Sequence, residues 1–218
     1  MSYSQEGDIA ILALDDGKAN AVGHDLIDGV NEALDRAEKE AKALVLAGRA
    51  GVFSAGFDLK EFKKGPEATV ALVNKGGQML LRLFSHPQPI IAACSGHAIA
   101  AGAFMLLAAD TRIGTEGEFK IGLNETAIGM TLPVFGLELA KARLSKRHQT
   151  ASFIQANLYD PADAVDAGFL DEVVSPDALM DTALKHANQL AAYPVDAYGG
   201  NKTLIRQEHI EVIRASLA

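Results

Sequence analysis

The sequence predicts a mixed α/β fold, and three observations lead to that prediction. The N-terminal part has a strand, a helix and a second strand, because short apolar runs flank a segment with helical periodicity. A glycine-bearing turn, a helix, a buried strand and a further helix follow in the middle of the chain. The C-terminal third is rich in helical patterns. Alternating strands and helices favour an α/β protein over a helical bundle or a β-sandwich.

The first unit covers about the first fifty residues. Ile9 to Leu14 and Ala43 to Ala47 are predicted strands, and His24 to Glu40 is the helix between them. Asp16 and Gly17 mark the turn after the first strand. The apolar residues that share one face of this helix are Leu26, Ile27, Val30, Leu34 and Ala37.

The later elements follow from the same periodicities and from turn residues. They are a turn at Ser54 to Asp58, a helix from about Thr69 to Phe84, a strand at Pro89 to Cys94, a helix from Ala100 to Ala109, extended segments at Thr111 to Thr115, Glu118 to Ile121 and Leu170 to Val174, and helices at Pro133 to Arg143, Ser145 to Gln155 and Pro161 to Ala167. Two longer helices, at Leu179 to Ala192 and Asp196 to Ile213, are separated by Tyr193 and Pro194. We therefore expect a core over residues 1–175 and a helical oligomerisation region over residues 176–218.

Composition excludes several classes of protein. The 218 residues, 49% of them hydrophobic, suit one globular domain and exclude intrinsic disorder. The formal net charge of −8 opposes binding to nucleic acid or to anionic lipid. Cys94 is the single cysteine, which suits a reducing compartment and excludes a metal site built on several thiolates.

Neither a secretion signal nor a membrane span is expected. The N-terminal segment has no basic stretch followed by an apolar one, so a cytoplasmic location is predicted. Residues 83–109 carry no formal charge and are long enough to cross a bilayer. However, Pro87, Pro89, Gly96 and Gly102 interrupt this stretch, which favours a buried strand followed by a buried helix.

Two segments place small residues at the entrance to a predicted helix. In GVFSAGFDLKEF, residues 51–62, Gly56 permits a tight turn before Phe57 and Asp58 begin a helix. In CSGHAIAAGAFML, residues 94–106, small side chains occupy residues 100–103. Unpaired amides at such helix starts stabilise negative charge, and two of them together form an oxyanion hole. Spacing does not show whether the two turns meet, and segments of this kind are also common packing devices.

The same segments resemble the paired signatures of the crotonase, or enoyl-CoA hydratase/isomerase, superfamily: FSAGFDLKEF is followed by PIIAACSGHAIAAGAFMLLAAD. The resemblance extends from KANAVGHDL near Lys18 to AVDAGFLDEVV near Gly168. It implies an α/β, crotonase-like spiral of repeated β-β-α units with a helical C-terminal trimerisation region, assembled as a homotrimer or hexamer. It also implies an acyl-CoA thioester substrate, with the backbone amides of Phe57 and Ala101 as the two oxyanion donors.

The two glutamate positions of this superfamily distinguish between reactions. Hydratases resembling this chain use two glutamates, but the position three residues beyond Ala101 is Phe104, which cannot accept a proton. The second position is Glu125 in IGLNETAIG, and GLNET resembles the corresponding segment of 3,2-trans-enoyl-CoA isomerases. The resemblance therefore implies isomerisation of 3-enoyl-CoA to 2-trans-enoyl-CoA, in which Glu125 moves a proton from carbon 2 to carbon 4.

The remaining predictions concern binding. The resemblance places the KANAV segment beside the CoA moiety. The predicted substrate-binding residues are Lys18, Ala19, Ala21, Ala55, Asp58, Leu59 and Phe104. No metal and no redox cofactor are expected, because coenzyme A is part of the substrate. Four further lysines could contact CoA, although exposed lysines are usually only solvated: Lys60, Lys63, Lys64 and Lys202.

Three other interpretations remain open at this point. An enoyl-CoA hydratase, or another acyl-CoA enzyme of the superfamily, is the nearest enzymatic alternative. A non-catalytic acyl-CoA-binding or assembly protein could keep both amide donors. Ser95, His97 and Asp110 could suggest a serine hydrolase, but Ser95 and His97 are two residues apart and no nucleophile elbow is present.

Overall fold

A computed structural model describes all residues, 1–218, and contains ten strands and nine α-helices. The strands are β1 (Ser2–Glu6), β2 (Ile9–Ala13), β3 (Ala43–Ala47), β4 (Gly51–Ser54), β5 (Ile90–Cys94), β6 (Gly96–Ile99), β7 (Thr111–Thr115), β8 (Ile121–Gly122), β9 (Leu158–Tyr159) and β10 (Glu172–Val174). The α-helices are α1 (His24–Glu40), α2 (Leu59–Phe62), α3 (Pro66–Ser85), α4 (Ala101–Ala108), α5 (Val134–Arg143), α6 (Gln149–Phe153), α7 (Pro161–Ala167), α8 (Leu179–Ala191) and α9 (Val195–Ser216).

The strands form two sheets. The larger sheet has the order β1-β2-β3-β5-β7-β10 and the smaller one the order β4-β6-β8-β9. All neighbouring strands are parallel except for the β1–β2 and β8–β9 pairs. Successive units contribute one strand to each sheet and then a helix, as in β3-β4-α2, β5-β6-α4 and β7-β8-α5. The predicted α/β spiral of repeated β-β-α units is therefore confirmed.

Helix α4 lies inside the molecule. All eight of its residues are buried, which explains why its sequence is apolar on every side. The uncharged stretch of residues 83–109 is divided among the end of α3, strands β5 and β6, and α4. No helix is both long enough and apolar enough to cross a membrane.

The two C-terminal helices pack on the core of their own chain. Leu179, Ala183 and Ala187 of α8 join a cluster of ten buried residues against the larger sheet. Helix α9 packs against α3 and α5. These two helices match the predicted pair closely, while a role for residues 176–218 in assembly stays a prediction.

Several short elements differ from the sequence predictions. Strands β1, β4 and β6 were not predicted, because β1 is mostly exposed and the other two are four-residue strands that begin at glycine. Of the extended segment expected at Glu118 to Ile121, only Ile121 is in a strand, as the first residue of β8. The single helix expected at Ser145 to Gln155 is a 3-10 helix, Lys146–His148, followed by α6.

Candidate active site

Three parallel strands of the smaller sheet end at the same edge, and each leads to a predicted catalytic residue. β4 leads to Phe57, β6 to Ala101, and β8 to Glu125. β6 is the central strand, paired with β4 on one side and with β8 on the other. In α/β proteins, ligands bind beyond the carboxyl ends of parallel strands. The sheet thus brings together three residues that are far apart in the sequence.

The two turns that carry the candidate oxyanion donors touch each other. Gly56 has a φ angle of +95°, which favours glycine. A Cβ atom built on Gly56 would lie 3.0 Å from the Cβ of Ala100, 3.0 Å from the carbonyl oxygen of Ile99 and 3.5 Å from the amide nitrogen of Ala101. A larger residue at position 56 would therefore push the turns apart. Sequence spacing alone did not show whether the two turns meet, and the structure shows that they do.

The amides of Phe57 and Ala101 are available to a ligand. The neighbouring amides are engaged, since Gly56 N–H donates to Ser54 Oγ (3.3 Å) and Asp58 N–H donates to the Val22 carbonyl (3.1 Å). The amide of Phe57 has no acceptor within the protein. Ala101 is the first residue of α4, so its amide has no acceptor inside the helix, and none is present outside it. Two amides without an acceptor thus lie on adjoining turns.

Glu125 presents a buried carboxyl group at the same edge. Only 5% of the residue is exposed, and its Oε2 atom is buried without a hydrogen-bond partner. Its backbone carbonyl accepts hydrogen bonds from Ile128 N (3.1 Å) and Met130 N (2.9 Å), which fixes the loop. Burial raises the pKa of this carboxyl group, because the charged form loses hydration. The preceding residue, Asn124, also has a buried oxygen without a partner, Oδ1.

Glu138 is the other buried glutamate, and it differs from Glu125 in its partners. Its carboxylate accepts hydrogen bonds from Lys141 Nζ (2.8 Å) and lies 2.8 Å from His209 Nδ1. Contacts with Lys141 and His209 keep the pKa of Glu138 below its ordinary value despite burial. Because buried charges are normally paired, the unpaired carboxyl of Glu125 requires a functional explanation.

Phe104 occupies the position at which hydratases of the superfamily have a second glutamate, and its side chain is an aromatic hydrocarbon. Its ring is fully buried and packs edge-on against Phe135, with ring centroids 5.9 Å apart. Gly136 makes this position possible, because a Cβ atom there would collide with the Phe104 ring. The Phe104 amide donates to the Ala100 carbonyl (3.0 Å), which ties the first turn of α4 to the donor turn.

The predicted CoA-binding segment lies beside the Gly56 turn. Ala55 N–H donates to the Ala19 carbonyl (3.0 Å), and Val22 N–H donates to the Gly56 carbonyl (2.8 Å). The buried side chain of Asn20 donates to the carbonyls of Leu14 (2.9 Å) and Phe53 (3.1 Å). Asn20 lies within the KANAV segment, and the sequence alone does not predict that its side chain joins two segments in this way. Its φ angle of 49° is compatible with a turn, but its role in joining two segments depends on the fold.

Two predictions about the start of α2 are corrected by the structure. The helix begins at Leu59 rather than at Phe57, because Asp58 is extended and its carboxylate accepts from Lys60 N (2.9 Å). Phe57 therefore lies before the helix, in a bridge with Val22 whose hydrogen bonds are donated by Val22 N–H and Asp58 N–H, so the Phe57 amide stays without an acceptor. An anion at the N-terminus of α2 would have to compete with the Asp58 carboxylate. Leu59 itself is exposed.

The lysines separate into two groups. Lys18 is exposed, and its carbonyl accepts from Arg49 Nε (2.9 Å). Lys202 is buried, and its Nζ atom lies 2.6 Å from Asp110 Oδ2, so it is not placed to meet CoA. The exposed members are Lys18, Lys60, Lys63 and Lys64.

The residues that could have suggested a serine hydrolase are engaged elsewhere. Ser95 Oγ donates to the Arg49 carbonyl (2.7 Å), and His97 Nδ1 accepts from Lys120 N (3.0 Å). Asp110 binds Lys202 and the guanidinium of Arg206. These three side chains do not form a triad.

Comparison with known proteins identifies the family. A family model described as "Enoyl-CoA hydratase/isomerase" matches residues 4–210, which is nearly the whole chain. The chain belongs to the enoyl-CoA hydratase/isomerase family. Members of this family act on acyl-CoA thioesters, which agrees with the free amides and the buried acid at the sheet edge. The predicted superfamily is thus confirmed.

Relatives within the enoyl-CoA hydratase/isomerase family carry both names. A probable enoyl-CoA hydratase of Bacillus subtilis is 35% identical over 126 residues, which are 56% of this chain and 48% of that protein. The human mitochondrial enoyl-CoA delta isomerase 1 is 28% identical over 204 residues, 91% of this chain and 68% of that protein. A crystal structure of a hydratase/isomerase family protein from Pseudomonas syringae is 44% identical, with a TM-score of 0.97 over 99% of this chain and 94% of that one. The matched part of this chain spans about half the length of the Bacillus subtilis protein and about two thirds of the length of the human one.

Proposed function

We propose that the protein isomerises 3-enoyl-CoA to 2-trans-enoyl-CoA. The observation that carries the proposal is the buried carboxyl of Glu125, which has no cationic partner and whose Oε2 atom has no hydrogen-bond partner, beyond the same sheet edge as the two free amides. A reaction that removes a proton and returns it to the same molecule needs one base. Hydration needs groups that position and activate water as well.

The two amides would bind the thioester oxygen. Hydrogen bonds from Phe57 N–H and Ala101 N–H to that oxygen strengthen as it becomes negative, so they favour the transition state over the bound substrate. They act through the backbone, and the aromatic side chain of Phe57 is compatible with this role. The segment around Ala19 and Ala21 lies beside the Gly56 turn and is placed to contact the CoA moiety.

Glu125 would carry the proton between two carbons. As a carboxylate it removes a proton from carbon 2, and the electron pair of that C–H bond enters the conjugated system to give a thioester dienolate. The protonated carboxyl then donates the proton to carbon 4, and the double bond forms between carbons 2 and 3. Glu125 is a carboxylate again at the end, and no electrons leave the substrate, so the reaction needs no redox cofactor.

The surroundings of Phe104 favour isomerisation over hydration. The aromatic pair of Phe104 and Phe135 fills the region beside the first turn of α4 and supplies neither a charge nor a hydrogen-bond acceptor for water. A raised pKa makes Glu125 a stronger base than an exposed glutamate, which suits removal of a weakly acidic proton. The similarity to the human delta isomerase supports the same choice.

The test compares two substrates and two glutamate variants. The wild-type protein is expected to convert a 3-enoyl-CoA to the conjugated 2-enoyl-CoA, and to hydrate a 2-enoyl-CoA much more slowly. Glu125→Gln should lower kcat for isomerisation by about 10²- to 10⁴-fold, because it removes the acid/base group. Binding of a saturated acyl-CoA, measured by calorimetry, should remain.

Glu138→Gln is the matched control, since it neutralises the other buried glutamate, whose carboxylate is paired with Lys141 and His209. Its kcat should stay within about twofold of wild type. Isomerisation retained by Glu125→Gln would contradict the assignment of the base. Faster hydration than isomerisation by the wild-type protein would favour the hydratase alternative, and binding without turnover of either substrate would favour an acyl-CoA-binding protein.

A further inference from the structure

Ala100 has an unusual backbone conformation. Its φ and ψ angles are 52° and −119°, a combination that L-residues avoid because the Cβ atom clashes with the backbone. It lies between the end of β6 and the first residue of α4. Strained residues persist where the surrounding structure holds them in place, and they are frequent at functional sites.

Hydrogen bonds on both sides hold Ala100 in this conformation. Its N–H donates to the Gly122 carbonyl (3.0 Å), at the end of the strand that leads to Glu125. Its carbonyl accepts from Phe104 N (3.0 Å), within the first turn of α4. The residue therefore connects the Glu125 segment with the helix whose first amide is a candidate donor.

The methyl group of Ala100 faces the other donor turn. A Cβ atom on Gly56 would be 3.0 Å from the Cβ of Ala100, so the methyl group lies on the side of Gly56 where a side chain would project. Gly56 precedes Phe57, and Ala100 precedes Ala101. The contact between Ala100 and Gly56 thus lies one residue before each of the two free amides.

We propose that Ala100 is a positioning residue: its methyl group and its constrained backbone set the separation and direction of the Phe57 and Ala101 amides. The proposal rests on the proposed function only in that a thioester oxygen binds between these amides. It is independent of the proton transfer assigned to Glu125.

A glycine at this position would remove both constraints. Ala100→Gly relieves the clash and deletes the contact with Gly56, so the Ala101 amide gains freedom to turn away. Since the oxyanion donors act mainly in the transition state, kcat should fall by about tenfold while KM changes by less than about threefold. The melting temperature should be equal to or above that of wild type, which separates this effect from unfolding.

Two further variants make the comparison specific. Ala100→Ser keeps a Cβ atom and is expected to recover most of the activity that Ala100→Gly loses. Ala156→Gly replaces another alanine with a positive φ, 53°, in the loop before β9. It should leave kcat unchanged.

The decisive measurement follows the thioester carbonyl itself. Butanoyl-CoA labelled with ¹³C at that carbonyl is saturated and cannot isomerise, so its infrared band reports hydrogen bonding alone. Binding to the wild-type protein should move the band to lower frequency. Ala100→Gly should reduce this shift by about half, and Ala100→Ser and Ala156→Gly should keep it.

The outcomes separate the two proposals. An unchanged carbonyl shift in Ala100→Gly, with a normal shift in wild type, would overturn the role of Ala100. Absence of a shift in the wild-type protein would overturn both this role and the oxyanion hole. A normal shift in a protein that hydrates instead of isomerising would overturn the proposed reaction alone, and the effect of Ala100→Gly on the shift would still support its positioning role.

Discussion

At the scale of the residue, Glu125 shows how burial sets the chemistry of a side chain. A carboxylate in water is well solvated and is a weak base. Loss of that solvation raises the pKa of Glu125, while backbone hydrogen bonds from Asn124 and from Glu125 itself partly oppose the rise. Glu138 is buried too, but its cationic partners pull its pKa the other way. Environment rather than residue type therefore distinguishes the candidate base.

The raised pKa predicts the pH dependence of isomerisation. Glu125 must be ionised to take the proton from carbon 2, so kcat/KM should fall about tenfold per pH unit below the pKa of this group in the free enzyme. Because burial raises that pKa, the acidic limb should lie above the ordinary range for glutamate. A pH–rate profile measures it, with the melting temperature recorded at each pH as a control. A limb at or below the ordinary glutamate range, in folded protein, would contradict this.

At the scale of the element, small residues let α4 approach the end of β4. A Cβ atom on Gly102 would collide with the backbone of Ser54, the last residue of β4. This close approach brings the first turn of α4 to the segment that carries Gly56 and Phe57. Close packing and formation of an oxyanion hole were the two roles expected for the small residues. They are compatible, because the same close approach of α4 to β4 serves both.

Replacing Gly102 tests this approach. Gly102→Ala should destabilise the protein by about 1–3 kcal/mol, since the added methyl group meets backbone rather than a flexible side chain. Gly200→Ala in α9 is the matched control: its Cβ would meet no atom within 4 Å, and alanine favours a helix by about 0.5–1 kcal/mol. Urea unfolding of both variants measures the change. An equal gain in stability from both substitutions would show that α4 can move away from β4 without cost.

Local patterns explain which elements could be predicted. The helices α1, α3 and α9 and the strands β2, β3 and β5 have strong periodicity or long apolar runs, and their predicted positions are close to those observed. The resemblance supplied Phe57, Ala101 and Glu125 as candidates. Their meeting at one edge could not be read from spacing, because it depends on the pairing of β4 and β6, four-residue strands over forty residues apart.

At the scale of the whole molecule, α9 is attached to the core by buried ion pairs. Asp110, just after α4, binds Lys202 Nζ (2.6 Å) and Arg206 Nη2 (2.7 Å), and it also accepts from Ile90 N (2.8 Å). Lys202 Nζ further donates to the carbonyls of His86 (2.7 Å) and Gln88 (2.9 Å). Each of these buried charges has several partners, as buried charges normally do. The contacts fix one face of α9 to the core, and the opposite face points outward.

The outward face of α9 carries two large apolar residues, Leu204 and Ile205, which are 71% and 83% exposed. Adjacent exposed apolar residues are typical of a surface that another protein covers. Together with the homotrimer or hexamer implied by the family resemblance, they lead to the expectation that this face contacts a second copy of the chain. Ile205→Glu should then weaken assembly by at least about tenfold, because a charge would be buried at the contact.

Sedimentation velocity over a range of protein concentrations measures this effect. Wild type should sediment as an oligomer, Ile205→Glu should shift toward monomer, and circular dichroism should show that the variant remains folded. Gln189→Glu places the same charge on the exposed side of α8, outside this apolar pair, and should leave the oligomer intact. A monomeric wild-type protein, or an Ile205→Glu variant that assembles as tightly as wild type, would remove α9 from the contact and leave its two exposed side chains unexplained by self-association.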